Sequence, residues 1–275
     1  MFRSSLVAVL VTGACAVGAT AAEASALDAR GLVAHRAVYD LQLKDASERS
    51  GIEGMYGRMV YEFVGSACKG FTTNFRFVTQ VDTGDAKRTT DQQTTTFEDV
   101  AANKFDFETK SFTDEQLDKE VRGSAADADQ KLKVELSQPD RRELDLAVSH
   151  FPTEHMLDVI DKAKHGTSFF ESRIFDGSED GDKSLLTTTI IGKKAEPAKD
   201  DPDAAKAGAF SASAYWPVEI AYFNDGGSGD AMPIYRIAFK LYENGITRDL
   251  TMDYGEFSLS GRLIQLDMLD GGECK

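Results

Sequence analysis

FTTNFRFVTQV, residues 71–81, decides the fold: Phe71, Thr73, Phe75, Phe77, Thr79 and Val81 fall on one side of an extended chain, with Asn74, Arg76 and Gln80 on the other. A helix would scatter these six residues around its circumference, whereas a strand turns them all toward one core. The same period of two recurs on both sides of this stretch. HRAVYDLQLK (35–44) aligns Ala37, Tyr39, Leu41 and Leu43, KFDFETKSF (104–112) aligns Phe105 and Phe107, and KLKVEL (131–136) aligns Leu132, Val134 and Leu136. Further runs at 57–63, 88–99, 168–176, 184–193, 218–223, 234–243, 246–254 and 256–269 raise the expectation to about a dozen strands.

Turn chemistry separates these runs. Asn244-Gly245 joins two of them and predicts a tight type I′ hairpin, while Asp176-Gly177 and Asp225-Gly226 mark two more turns. A meandering antiparallel sheet is the simplest result. One segment departs from it: FPTEHMLDVIDKAKHG (151–166) carries Met156, Leu157, Ile160 and Ala163 at helical spacing, with Pro152 near its start and Gly166 past its end. It predicts one amphipathic helix packed on the sheet. KKAEPAKDDPDAAKAG (193–208) has no apolar period and reads as a mobile surface loop.

The first residues read as an export signal. Arg3 precedes an apolar run from Leu6 to Val17, followed by the small triplet Ala24-Ser25-Ala26, so residues 1–26 are expected to be a signal peptide and 27–275 a single mature domain. The run is shorter than the roughly 20 residues a membrane span requires. A lipidated Cys15 is the competing reading, with Thr12 standing where such sites usually carry Leu. Arg3 and Glu23 cancel within the leader, so the exported chain keeps the net charge of −15. That acidity opposes binding to nucleic-acid phosphates and to anionic membrane surfaces.

Export removes Cys15 and leaves Cys68 and Cys274 in an oxidising compartment, where an even count favours a disulfide. The alternative, a redox-active thiol, would call for a Cys-x-x-Cys pair or an adjacent base. The bridge would tie the last residues to an early strand, pinning the final strand by Cys274 to the loop before FTTNFRFVTQV. Because an end of an open sheet is where it frays, the bridge is expected to act as a clasp there.

Other patterns carry little chemistry. His150, His155 and His165 are spaced by five and ten residues, which a zinc helix does not use, and His165 suits the negative end of the helix dipole. His35 reads as a wall residue of its strand. Asp176, Ser178, Asp180 and Gly181 match positions of a calcium loop, but Thr187 stands where the bidentate carboxylate belongs, so an acidic turn is expected. GGSGD (226–230) lacks the last glycine of a hydrolase elbow, and the acid pair Asp91 and Glu98 nominates no glycosidase. No catalytic residue, metal or cofactor is expected.

Taken together, HRAVYDLQLK, SGIEGMYGRMVYEF (50–63), GSACKGFTTNFRFVTQVDTG (65–84) and the C-terminal GGECK resemble the cell-envelope integrity protein B (EipB) family of alphaproteobacteria. The resemblance spans the mature chain. It implies a periplasmic β-spiral, a single large antiparallel sheet curled around a helix, with a disulfide at Cys68 and Cys274. It also implies maintenance of the cell envelope through periplasmic protein partners, among them a tetratricopeptide-repeat protein, and carries over no catalytic residues. The leading expectation is thus a noncatalytic, monomeric envelope protein. A second is a carrier of lipid or lipoprotein acyl chains, with Phe71, Phe75 and Phe77 lining a concave sheet face. The third, an envelope hydrolase, requires a pocket with a perturbed acid or base.

Overall fold

The computed structural model describes residues 29–224, 232–272 and 274. The leader at 1–26 with Cys15, the Asp225-Gly226 turn and GGSGD all lie outside them. Every strand belongs to one antiparallel sheet. Its first arm is β1 (His35–Ala46), β2 (Gly54–Ser66), β3 (Gly70–Asp82), β4 (Lys87–Asp99), β5 (Lys104–Thr113), β6 (Gln116–Ala128), β7 (Lys131–Gln138) and β8 (Arg142–Leu146). Its second is β9 (Phe169–Ile174), β10 (Leu185–Ile191), β11 (Trp216–Asn224), β12 (Tyr235–Leu241), β13 (Thr247–Asp253) and β14 (Phe257–Met268).

The 14-stranded order runs β8 to β1, then β14 back to β9, so both arms are simple meanders and the first and last strands pair in the middle. Native twist prevents so many strands from lying flat, and the sheet curls without closing into a barrel. One close approach inside the curl is at Gly57, where a Cβ would stand 2.1 Å from the Val78 carbonyl oxygen. The outer face is polar, with Arg58 on Asp40 and Arg76 on Asp91, each at 2.8 Å. Such exposed pairs contribute little individually.

The helix, α1 (Pro152–Lys164), connects the two arms and lies against the inner face. Leu157, Ile160 and Ala163 are buried as the helical spacing predicts, and Val159 and His155 are buried beside them. Its end is a Schellman turn: Gly166 has φ 77°, its N–H donates to Ala163 and that of Thr167 to Lys162. A second core forms at the far end of the first arm, where Phe105 stacks on Phe151 and Phe107 meets Phe175 edge-on.

Four local features depart from the sequence reading. The twelve expected strands are present, but β6 and β8 are additional. At Asn244-Gly245 only Gly245 has positive φ, and its N–H donates to Tyr242, giving a turn over Tyr242 to Gly245 with a glycine bulge instead of a type I′ pair. Residues 193–208 are not a free loop: Ala195 bridges to Tyr215, two short 3₁₀ turns follow, and Asp203, Ala204 and Ala207 are buried. Finally, Cys68 and Cys274, with Cα atoms 5.7 Å apart, form the disulfide that ties the last residues to the loop before β3 as expected, but that place is mid-sheet and not a fraying edge. It joins the β2–β3 hairpin to the tail after β14, beside the seam where the two arms meet.

Candidate functional site

The inner face lines a half-open cavity of about 430 Å³, within the range of small-ligand sites. Alternation builds its walls, since each strand sends every second side chain inward. One wall is apolar and aromatic: Met59 and Tyr61 from β2, Ile220 and Tyr222 from β11, Ile237 and Phe239 from β12. Next to β2 the lining becomes hydroxylic: Thr73 from β3, Gln92, Thr94 and Thr96 from β4, and Thr109 from β5, with Thr94 and Thr109 hydrogen-bonded at 3.0 Å. Helix α1 covers the space with Thr153, His155, Met156 and Val159.

Glu98 fixes the position of that helix. Phe151 at the N-cap offers no acceptor, and the Glu98 carboxylate reaches from β4 to take the N–H groups of Thr153 at 2.7 Å and Glu154 at 2.8 Å. The negative group also meets the positive end of the dipole. Burial pushes Glu98 up to about 7, against those two bonds, which favour its charged form. Glu154 in turn accepts from His150 at 2.9 Å, which raises the His150 value.

His155 lies one helical position from this cap. It is buried at 5% exposure, its Nε2 has no hydrogen-bond partner, and burial lowers it to about 4, so the ring is neutral at ordinary pH.

These groups give the protein an opposed pH response. Glu98 at about 7, against 4.5 when exposed, contributes stability that is complete in acid and lost as pH rises through 7. The raised His150 and Asp127 act in the same sense. His155 at about 4, against 6.5, contributes stability that is complete above 6.5 and lost as pH falls through 4. Glu98→Gln should therefore make stability rise between pH 4.5 and 6.5, and His155→Phe should make it fall, each by on the order of 3 kcal/mol relative to wild type. Urea unfolding at stepped pH measures this. Parallel profiles for the three proteins would refute it.

The remaining sequence candidates occupy structural posts. His35 is a buried wall residue whose Nδ1 lies 2.8 Å from the Val33 oxygen. Of the three phenylalanines proposed for a concave lining, Phe75 alone reaches the cavity; Phe71 stacks on Phe63 at 4.9 Å and Phe77 packs beside Phe75. Asp176 caps the Ser178 N–H, and both line the cavity, while Asp180 pairs with Lys119 at 2.7 Å and Thr187 is buried in β10. Among the described residues no three His, Cys, Asp or Glu groups converge as a metal site. Asp91 faces outward to Arg76, on the opposite side of β4 from Glu98. No helix among the described residues is long and apolar enough to cross a membrane.

A family model described as EipB-like matches residues 26–270. The cell envelope integrity protein EipB of Brucella abortus (strain 2308) is 54% identical over 256 residues, covering 93% of this chain and 91% of the relative. The crystal structure of a beta-barrel-like protein of domain of unknown function DUF1849 from Brucella abortus superposes with a TM-score of 0.84 at 54% identity, over 87% of this chain and 99% of that one.

Proposed function

Because the chain belongs to the EipB-like family, we propose that it is a noncatalytic protein of the cell envelope that supports envelope integrity by holding an apolar chain inside the curled sheet. The observation that carries this reading is the cavity itself, bordered by helix α1 and lined in large part by aliphatic and aromatic side chains. The relative named for cell envelope integrity supports the setting, and the chain's acidic balance favours exchange with protein partners over adsorption to anionic lipid. Nearby polar groups are partly occupied structurally: Glu98 in capping the helix, Thr94 and Thr109 in one another. Periplasmic proteins, a tetratricopeptide-repeat protein among them, are the expected donors or acceptors of the bound chain.

Native mass spectrometry of the exported protein should detect a copurifying acyl-chain species, and Ile220→Trp, which projects bulk into the cavity from its apolar lining, should deplete it in protein that remains folded by circular dichroism. In a deletion strain, the wild-type gene should restore detergent resistance and the filled variant should not. Absence of any bound species, with full rescue by Ile220→Trp, would overturn the reading. In-cell cross-linking that captures no envelope protein would remove the partner half of it.

A further inference from the structure

Resting on the reading that an apolar chain occupies the cavity, we infer that the chain enters methyl end first through the end of the curl where β4 and β12 begin and β11 stops, and leaves its head in water at that rim. The ligand class that follows is a single-chain amphiphile selected by its chain and not by its head.

The first observation is a gradient of burial shared by three strands. Along β4 the inward residues pass from exposed Gln92 through half-buried Thr94 and Thr96 to buried Glu98. Along β11 they pass from half-buried Tyr222 to buried Ile220 and Val218, and along β12 from half-buried Tyr235 and Ile237 to buried Phe239. Because both arms are antiparallel meanders, the start of β4, the end of β11 and the start of β12 lie at one end of the sheet. The cavity opens toward that end and deepens toward α1.

The second is what occupies the deep end. Met156 and Val159 of α1 border the cavity there, and Leu32 packs on Gly245, where a Cβ would stand 2.8 Å from the leucine. A polar head driven among buried Val159, Phe239 and Leu250 would lose its water for apolar neighbours.

The third is an aromatic track from the wall to the surface. Tyr222 and Tyr235 line the cavity with ring centres 5.5 Å apart, Tyr235 meets Tyr254 at 4.9 Å, and Tyr254 meets Phe257 at 4.9 Å. Tyr254 is 38% exposed. Across the rim, half-buried Phe77 is registered against Gln92. A chain can therefore keep apolar contact from the surface inward. At this end Arg236 lies 4.0 Å from Asp253, and the Asp176 carboxylate takes the Ser178 N–H. A head left among such mixed, engaged charges keeps its water and adds little, whereas each buried methylene adds about fourfold in affinity.

Uptake of the fluorescent apolar probe N-phenylnaphthylamine by the full exported chain reads the entrance. Gln92→Cys carrying a bulky maleimide should slow uptake and release about tenfold or more. The same label on Thr95→Cys, exposed on the opposite face of β4, should change neither. Two diazirine derivatives of hexadecanoic acid read the direction on wild-type protein, and so decide the matter even if a cysteine variant fails to fold. A diazirine beside the carboxylate should label Tyr235 or Tyr254, and one at the methyl end Met156 or Val159. Dodecanol, dodecanoate and dodecyltrimethylammonium should displace the probe within about threefold of one another, while tetradecanol should exceed dodecanol about tenfold or more.

Equal uptake by the two labelled variants, or the reverse pattern of photolabelling, would overturn the entrance while leaving the apolar-chain reading standing. A head effect larger than the chain effect would overturn the ligand class. Failure of the wild-type protein to take up the probe or any of these chains would overturn both readings.

Discussion

Cys274→Ser is expected to lower the stability of the folded chain by about 3–5 kcal/mol and its melting temperature by about 10 °C. The bridge spans 206 residues, and closing a loop of that length restricts the unfolded chain by roughly 5 kcal/mol in the entropy model, of which real bridges deliver a part. Its position adds a second effect. β1 and β14 pair through eleven registered positions, but two bulges interrupt that ladder, and it alone joins the two meanders side by side. The bridge anchors the tail after β14 to the β2–β3 hairpin, next to Gly271, where a Cβ would stand 2.6 Å from the Gly65 oxygen. Losing it frees the tail on one flank of the seam. Cys68→Ser and reduction of wild type should have the same effect, and the double variant should be no worse than either single one, because all remove one bond. Scanning calorimetry of the four proteins measures this. Equal melting of wild type and Cys274→Ser would refute a stabilising role.

How much of this molecule could be read from its residues depended on how plainly each strand alternates. FTTNFRFVTQV, HRAVYDLQLK and KLKVEL lie where the sequence pattern puts them because bulky side chains face inward at every second position. β6 escaped for the opposite reason. Its inward residues include Gly123 and Ala125, registered against Phe107 and Phe105, and a Cβ on Gly123 would meet the Phe107 ring at 2.9 Å. Smallness there is what lets the aromatic neighbours fit, and smallness leaves no hydrophobic period to detect. β8 is a five-residue edge strand of mostly charged residues, RELDL, too short to show a period.

The cavity was half legible. A concave aromatic lining followed from alternation, but which phenylalanines reach it depends on curvature, which no local pattern encodes: Phe71, Phe75 and Phe77 share a face, yet Phe75 alone lines the cavity, with Phe77 stacked beside it and Phe71 in a different cluster. His155 failed the spacing of a metal helix and therefore carried no signal at all. Its meaning came from burial without a partner, a property of the assembled structure. Glu98 likewise looked like one acid among many until the helix N-terminus was seen to rest on it.

Asp201→Ala should destabilise the protein by about 3–5 kcal/mol, far more than the 0–1 kcal/mol of an exposed ion pair. A bulge at Asp249, with φ 53°, reverses the facing of β13, so that Thr247 and Leu250 both line the cavity while Arg248 turns beneath residues 193–210. Arg248 is fully buried there. Its Nε donates to the Tyr242 hydroxyl at 2.8 Å, Nη1 to Asp201 at 2.7 Å, and its guanidinium lies 4.8 Å from the Tyr215 ring centre. Nη2 already lacks a partner, so removing Asp201 would leave a charge with one bond in place of two. Burial alone would raise the Asp201 carboxyl, but the Ala204 N–H, Lys240 and Arg248 together hold it well below the usual range. Its contribution is therefore present above the ordinary carboxyl value and lost as pH falls toward strong acid. Next to it, Asp203 accepts the N–H groups of Asp249 at 3.0 Å and Leu263 at 2.9 Å, so the same strap that shields the arginine also satisfies backbone donors at bulged parts of β13 and β14. The paired change Asp201→Leu with Arg248→Met should recover most of the loss, because it removes both buried charges together. Denaturant unfolding at pH 7 measures the cycle. A cost below about 1 kcal/mol for Asp201→Ala would mean that solvent reaches the arginine and that the strap lies loosely on the sheet.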